Sequence, residues 1–143
     1  MSGPEPRGRD SYRHFTRLTT RWADNDAYGH VNNAVYYQWF DIAVNALLVG
    51  VGLLDIVAGD PIGLVVETSC SYFAPLSFPG DVEVGIAIDR LGSSSITYRI
   101  GIFAAGATDP AAQGHFTHVY VGRETRRPVP LPDEWREKLR QLV

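Results

Sequence analysis

The chain has 143 residues and a mass of 15.8 kDa, which is the size of one folded domain. Hydrophobic residues make up 45% of it and charged residues 20%, a composition that predicts a buried core and excludes wholesale disorder. The 13 basic and 16 acidic residues give a formal net charge of −3, without the clustered positive charge that is typical of nucleic-acid binding.

The chain begins with a polar segment, which we predict to be a flexible tail over residues 1–11, ahead of a single domain over residues 12–143. No apolar signal segment follows Met1. The longest weakly charged stretch, residues 42–57, is too short and too interrupted to span a bilayer. We therefore expect a cytoplasmic protein with neither a membrane nor a nucleic acid as its partner.

The first half of the domain predicts a strand, a loop and a helix. Residues 14–22 alternate as in a strand, and the polar, turn-rich residues 23–33 follow it. Residues 34–51 have a helical pattern of apolar side chains, with Asp41 as the one charge and Gly50 near the end. Because apolar side chains lie on nearly every side of this helix, we predict that other structure wraps around it.

The second half of the domain predicts strands joined by short turns. The strand candidates are residues 62–73, 82–89, 96–102 and 116–121. Since turns this short join antiparallel neighbours, we expect an antiparallel sheet. A short charged helix is predicted within residues 132–143. One curved antiparallel sheet wrapped around one long central helix, an α+β architecture, accounts for this order of elements.

The loop before the helix carries the most informative motif, residues 21–36, which read Arg-Trp-Ala-Asp-Asn-Asp-Ala-Tyr-Gly-His-Val-Asn-Asn-Ala-Val-Tyr. This run resembles the signature of hotdog-fold acyl-CoA thioesterases of the 4-hydroxybenzoyl-CoA thioesterase type. Its His-Val-Asn-Asn portion is also similar to the plant acyl-carrier-protein thioesterases, and residues 72–76 resemble the family's second strand running into its turn. The resemblance implies the hotdog fold and an enzyme that hydrolyses an acyl-CoA thioester to a free acid and coenzyme A.

The resemblance also implies roles for residues of this motif. The carboxylate three residues before the glycine, Asp26, is implied to act as general base on water or as nucleophile on the thioester carbonyl. The backbone N–H of Asn33, in the first turn of the helix, is implied to polarise that carbonyl. Gly29, His30 and Val31 are implied to contact the substrate. Elementary chemistry agrees, because unpaired N–H groups at a helix N-terminus stabilise an oxyanion and a nearby carboxylate activates water.

The same residues have other interpretations that the local sequence leaves open. Asp26 could be a turn or capping residue, a common role of aspartate. His30 could contact the substrate, orient Asp26 or cap the loop. We interpret Asp24 as structural, stabilising the loop or pairing with Arg21. Asp24, Asp26 and His30 could together be read as a metal site, but they have no second ligand cluster, so we expect no metal and no other cofactor.

Four residues outside the motif are further candidates for substrate contact. Glu67, in the middle of a strand, either assists at the site from a facing subunit or lies on a solvated face, because a buried unpaired carboxylate is costly. Ser94 belongs to a serine-rich turn of the kind that the family places near substrate, although a plain turn fits as well. Arg126 and Arg127, with Arg123, either bind the phosphates of coenzyme A or form a solvated edge.

Other catalytic classes are disfavoured. The single cysteine, Cys70, excludes an internal disulfide and has no local histidine or helix terminus to activate it. The chain also lacks the Gly-Xaa-Ser-Xaa-Gly elbow of serine hydrolases.

The open edge of a small sheet predicts pairing with a second copy, and the resemblance implies a homodimer or homotetramer with its sites at the subunit interface. Two other functions remain alternatives, a hotdog acyl-CoA hydratase and a non-catalytic module that binds or senses acyl-CoA. Asp26 beside a helix start argues against the second alternative, since binding alone does not need that carboxylate.

Overall fold

An antiparallel five-stranded sheet and one 18-residue helix make up most of the fold in a computed structural model, which describes residues 4–143. In chain order the elements are β1 (His14–Thr19), α1 (Asn33–Gly50), β2 (Ile62–Tyr72), β3 (Asp81–Leu91), β4 (Ser95–Ala104), β5 (Ala112–Val121) and α2 (Asp133–Leu139). The strand order is β1-β3-β4-β5-β2, so β1 and β2 are the edge strands. The predicted antiparallel sheet with its helix is confirmed, and so is the short charged helix near the C-terminus.

The hydrophobic core lies between α1 and one face of the sheet, which we call the inner face. Because side chains alternate along a strand, every second residue of the central strands faces α1. The largest side chains that are fully buried in this layer are Phe40, Ile86, Ile96, Tyr98, Ile100 and Ile102. This layer fixes the position of α1 on the sheet.

The expectation that other structure wraps α1 on nearly all sides is met on one side only. Ile42 and Val49 remain 48% and 53% exposed, and Asp41 is also exposed. The helix packs against the inner face and presents its other side to solvent, which corrects the prediction of an enclosed helix. Within residues 4–143, no helix is long and apolar enough to cross a membrane.

The N-terminal segment lies across the opposite, outer face of the sheet. The ring of Tyr12 covers Gly101 so closely that a Cβ added there would lie 2.7 Å from the ring. The backbone N–H of Arg7 donates to Oε1 of the buried Gln113 at 2.8 Å. From Glu5 onward the segment predicted as a flexible tail therefore has hydrogen bonds to the sheet, and its first three residues lie outside the described part of the chain.

The two ends of the sheet have different surroundings. Tyr72 is in register with Ala112 at the end where the N-terminus of α1 lies, and we call this the pocket end. Ile62 is in register with Val121 at the other end, the distal end. Since a strand rises about 3.4 Å per residue, the two ends of β2 are roughly 30 Å apart.

Candidate functional site

The N-terminus of α1 is capped by a side chain, and one backbone donor there has no acceptor among the residues that the structure describes. Oδ1 of Asn32 accepts from the N–H of Ala34 at 2.9 Å, and the Asn32 carbonyl accepts from the N–H of Val35 at 2.9 Å. No acceptor in the described chain takes the N–H of Asn33, the first helical residue. Because the helix dipole is positive here, this N–H is suited to a carbonyl oxygen or an anion.

A cavity of about 310 Å³ opens beside this helix end. Its lining is mostly apolar and aromatic, and consists of Val31, Asn33, Tyr36, Tyr72, Phe73, Ala74 and Pro75. The rings of Tyr36 and Tyr72 meet edge to face with their centroids 4.9 Å apart. The Tyr72 hydroxyl donates to the carbonyl of Asn33 at 3.0 Å, and burial raises the pKa of Tyr36 to about 12. Both phenols are therefore neutral hydrogen-bonding groups near pH 7.

Asp26 lies in a tight loop whose backbone it holds together. Its N–H donates to the carbonyl of His30 at 2.8 Å, and its carbonyl accepts from Gly29 at 3.1 Å. Its Oδ1 accepts from the N–H of Tyr28 at 2.8 Å and, more weakly, from the N–H of His30 at 3.4 Å. Gly29 has a φ of +79°, a conformation that glycine adopts without strain. One carboxylate oxygen thus stabilises the turn, while Oδ2 has no partner in the described chain.

The loop of Asp26 is fastened to the segment that forms the wall of the cavity. The N–H of Val31 donates to the carbonyl of Leu76 at 2.7 Å, and Ser77 Oγ donates to the carbonyl of Gly29 at 2.8 Å. Of the predicted site residues in this region, two line the cavity, Val31 and Asn33, and three lie in the adjoining loop outside its lining, Asp26, Gly29 and His30.

Asp24 is a structural residue, as predicted. Its side chain is 1% exposed and accepts from the backbone N–H of Arg21 at 2.7 Å and from the Arg21 guanidinium at 2.8 Å. Its carbonyl accepts from the N–H of Asn32 at 2.8 Å. Asp24 therefore connects the end of the first strand region to the cap of α1.

Ser94, Arg126 and Arg127 lie at the distal end of the sheet, away from the cavity of their own chain. The carbonyl of Ser94 accepts from the N–H of Tyr120 at 2.7 Å. Arg126 and Arg127 are exposed in the turn after β5, where the N–H of Arg126 donates to the carbonyl of Gly122 at 2.9 Å. At roughly 30 Å from the N-terminus of α1, these side chains are too distant to contact a substrate in the same chain's cavity.

Glu67 also points away from the cavity of its own chain. It is in register with Thr117, which alternates with the inward-facing Phe116 and His118, so both Glu67 and Thr117 belong to the outer face. Glu67 is exposed there. Within one chain this placement agrees with the solvated-face interpretation.

Sequence reasoning missed the part that Tyr72 plays in the first turn of α1. Residues 72–76 carried only a general resemblance, and nothing in them indicates that the Tyr72 hydroxyl reaches the carbonyl of Asn33. Among residues 4–143, no three His, Cys, Asp or Glu side chains lie close enough together to hold a metal ion. The polar groups at this site are one backbone N–H donor, one carboxylate acceptor and two phenols.

Comparison with known proteins agrees with this architecture. A family model described as "Thioesterase-like superfamily" matches residues 20–139. The structure of the PA5185 protein from Pseudomonas aeruginosa is 48% identical, with a TM-score of 0.92 and 96% of both chains covered. That of Slr0204, a 1,4-dihydroxy-2-naphthoyl-CoA thioesterase from Synechocystis, is 23% identical, with a TM-score of 0.80 over 90% of this chain and 96% of that one.

A curated relative, the uncharacterized protein YsmA of Bacillus subtilis, is 22% identical over 90% of this chain and 86% of its own length. The family model covers most of the chain and includes the motif loop, α1 and all the strands that surround the cavity. The chain therefore belongs to the thioesterase-like superfamily and is a thioester hydrolase with the antiparallel sheet and helix of the hotdog fold.

Proposed function

We propose that this protein is an acyl-CoA thioesterase in which Asp26 is the base or nucleophile and the N–H of Asn33 stabilises the oxyanion. The observation that carries the proposal is the free N–H of Asn33, which opens onto an apolar cavity while the loop of Asp26 is fastened beside it. The family of the chain supports the reaction class, and the coenzyme A thioesterase among its structural relatives supports the substrate class.

The chemistry follows from where negative charge develops. As water or a carboxylate attacks the thioester carbonyl, its oxygen becomes an anion that the N–H of Asn33 and the helix dipole stabilise. The unpartnered Oδ2 of Asp26 either removes a proton from the attacking water or attacks the carbonyl directly. In the first route, collapse of the tetrahedral intermediate expels the coenzyme A thiolate. In the second, the thiolate leaves an acyl-aspartyl anhydride that water then hydrolyses.

The substrate-binding roles of the other candidates divide by their position. Gly29 and His30 lie in the loop next to the cavity, outside its lining, whereas Ser94, Arg126 and Arg127 can serve only the cavity of a second copy. We propose that the chain forms a homodimer or homotetramer whose basic residues bind the coenzyme A phosphates. The edge strand β2 supports such pairing, because its residues 64–69 are all exposed. A cytoplasmic location remains a prediction.

The test measures release of free thiol from short, long and aromatic acyl-CoA esters by the wild type and the Asp26→Asn variant. We expect turnover by the wild type and a loss of about 10²-fold or more in Asp26→Asn, the usual effect of removing an acid–base group. Asp109→Asn, an exposed aspartate outside the site, is the matched control and should keep full activity.

Turnover that survives in Asp26→Asn would reject its catalytic role and move the chemistry to another residue. Saturable binding of the esters without turnover would instead identify a sensing module. Hydration of crotonyl-CoA in the same preparations would identify the hydratase alternative.

A further inference from the structure

The turn that carries Asp26 is a self-contained unit on the surface. Residues 27–30 are exposed, and the hydrogen bonds of Asp26 all stay within the turn. In the described chain, the only hydrogen bond from residues 26–30 to another segment is the one that Ser77 Oγ donates to the carbonyl of Gly29 at 2.8 Å. Because the internal bonds fix only the shape of the turn, its tilt relative to the cavity depends on this outside contact.

A second side chain holds the base of the turn. Asn25 directly precedes Asp26, and its backbone is bridged to that of Val31. Oδ1 of Asn25 accepts from the N–H of Phe78 at 3.0 Å. Ser77 therefore holds the tip of the turn and Asn25 holds its base, and the two contacts are made with consecutive residues of one segment.

The segment that makes both contacts also forms the cavity wall. Residues 73–75 line the cavity, and the carbonyl of Leu76 accepts from the N–H of Val31 at 2.7 Å. The wall is thus joined to the approach to α1 through the backbone and to the turn of the carboxylate through side chains. Neither Asn25 nor Ser77 lines the cavity, so neither is placed to contact the acyl group.

We infer that Ser77 and Asn25 are positioning residues for the carboxylate of Asp26. Since Oδ1 of this carboxylate is bound to the N–H of Tyr28, the direction of its Oδ2 follows the tilt of the whole turn. The two contacts thereby set Oδ2 relative to the N–H of Asn33, and a displacement of about 1 Å at a reacting group costs up to about 10²-fold in rate. The catalytic consequence rests on the proposed function, but the holding of the turn does not.

Kinetics of matched variants test the catalytic consequence. Ser77→Ala should lower kcat about fivefold at unchanged KM, the effect of losing one hydrogen bond, and Ser77→Thr, which keeps the hydroxyl, should restore the wild-type kcat. Asn25→Ala leaves the N–H of Phe78 without its acceptor and should lower kcat about tenfold. Ser11→Ala, which removes a serine hydroxyl on the outer face of the sheet, is the control and should change nothing.

NMR order parameters of the backbone amides test the holding of the turn without using activity. For residues 27–30 of the wild type we expect values of about 0.85, typical of a rigid backbone, and in Ser77→Ala a fall towards about 0.6. Ser77→Thr should keep the wild-type values. Urea unfolding of the same variants should give the wild-type midpoint for Ser77→Ala, because this side chain is exposed and the change is local.

The outcomes separate this inference from the proposed function. An ordered turn in Ser77→Ala would overturn the inference, and so would the absence of rescue by Ser77→Thr. A raised KM at constant kcat would also overturn it, since it indicates contact with the substrate. A mobile turn at full activity would overturn the positioning role if Asp26→Asn is impaired. If Asp26→Asn is unimpaired as well, the same result would keep the holding of the turn by Ser77 and reject the proposed role of Asp26.

Discussion

His118 is a buried imidazole that should make this protein less stable in mild acid. It is 3% exposed, and its Nδ1 has no hydrogen-bond partner among residues 4–143. The rings of Phe116 and Tyr120 meet it edge to face at 4.9 and 5.8 Å between centroids. Burial lowers the pKa of His118 from 6.5 to about 4, and the Asp41 carboxylate on α1 opposes this shift only in part. The folded chain therefore holds this histidine in its neutral form.

The sign and size of the effect follow from proton linkage. The unfolded chain binds a proton at the imidazole as the pH falls through 6.5, whereas the folded chain resists until about pH 4. The contribution of His118 to stability is thus fully present above pH 6.5 and is lost between pH 6.5 and 4. At about 1.4 kcal/mol per pH unit, the loss is about 2 kcal/mol by pH 5 and about 3 kcal/mol when complete.

The assay compares urea unfolding at pH 7.5 and pH 5, at one protein concentration, for the wild type and the His118→Phe variant. We expect His118→Phe to lose about 2 kcal/mol less than the wild type between these pH values, because phenylalanine fills the aromatic site without titrating. Tyr120→Phe, at the neighbouring ring whose pKa burial raises to about 12, is the control and should show the same acid-induced loss as the wild type. An equal acid-induced loss in His118→Phe and wild type would refute the reasoning.

Two further changes test the packing and the first turn of α1. Gly114→Ala should cost about 3 kcal/mol or more in urea unfolding, since its Cβ would lie 1.9 Å from the Ser69 carbonyl oxygen. Gly50→Ala, with open space at the helix end, should be neutral or stabilising, and an equal loss in both would contradict the packing argument. Tyr72→Phe removes the hydrogen bond to the Asn33 carbonyl, worth about 1 kcal/mol, so kcat should fall roughly fivefold with little change in KM. A raised KM at constant kcat would indicate direct substrate contact instead.

The order and kind of the elements could be predicted because the spacing of apolar residues indicates which side of each helix or strand is buried. The helix predicted over residues 34–51 is Asn33–Gly50, since its apolar spacing and Asn32 cap are both local signals. The first strand ends three residues earlier than predicted, because Trp22–Asp24 forms a 3-10 turn held by the buried carboxylate of Asp24. That carboxylate is a tertiary feature that alternation alone does not show.

Which residues of β2 face the core could not be predicted from the sequence, because a β-bulge interrupts the alternation of this strand. Val65 is in register with the inward-facing His118, but the next pair joins Glu67 to Thr117 on the outer face, so Val66 is an extra residue. A bulge reverses which residues of a strand face the core. No residue type in this segment marks its position, so the sequence left both interpretations of Glu67 open.

The grouping of the site residues also depended on topology. Asp26 and Asn33 are close in sequence and lie at the pocket end, whereas Ser94, Arg126 and Arg127 lie at the distal end of the same sheet. A monomer cannot bring the two groups to one substrate, because the ends are roughly 30 Å apart. Whether the distal residues can bind coenzyme A therefore depends on whether the chain forms an oligomer. A monomer with full activity would exclude the distal residues as substrate ligands and would leave the roles of Asp26 and Asn33 untouched.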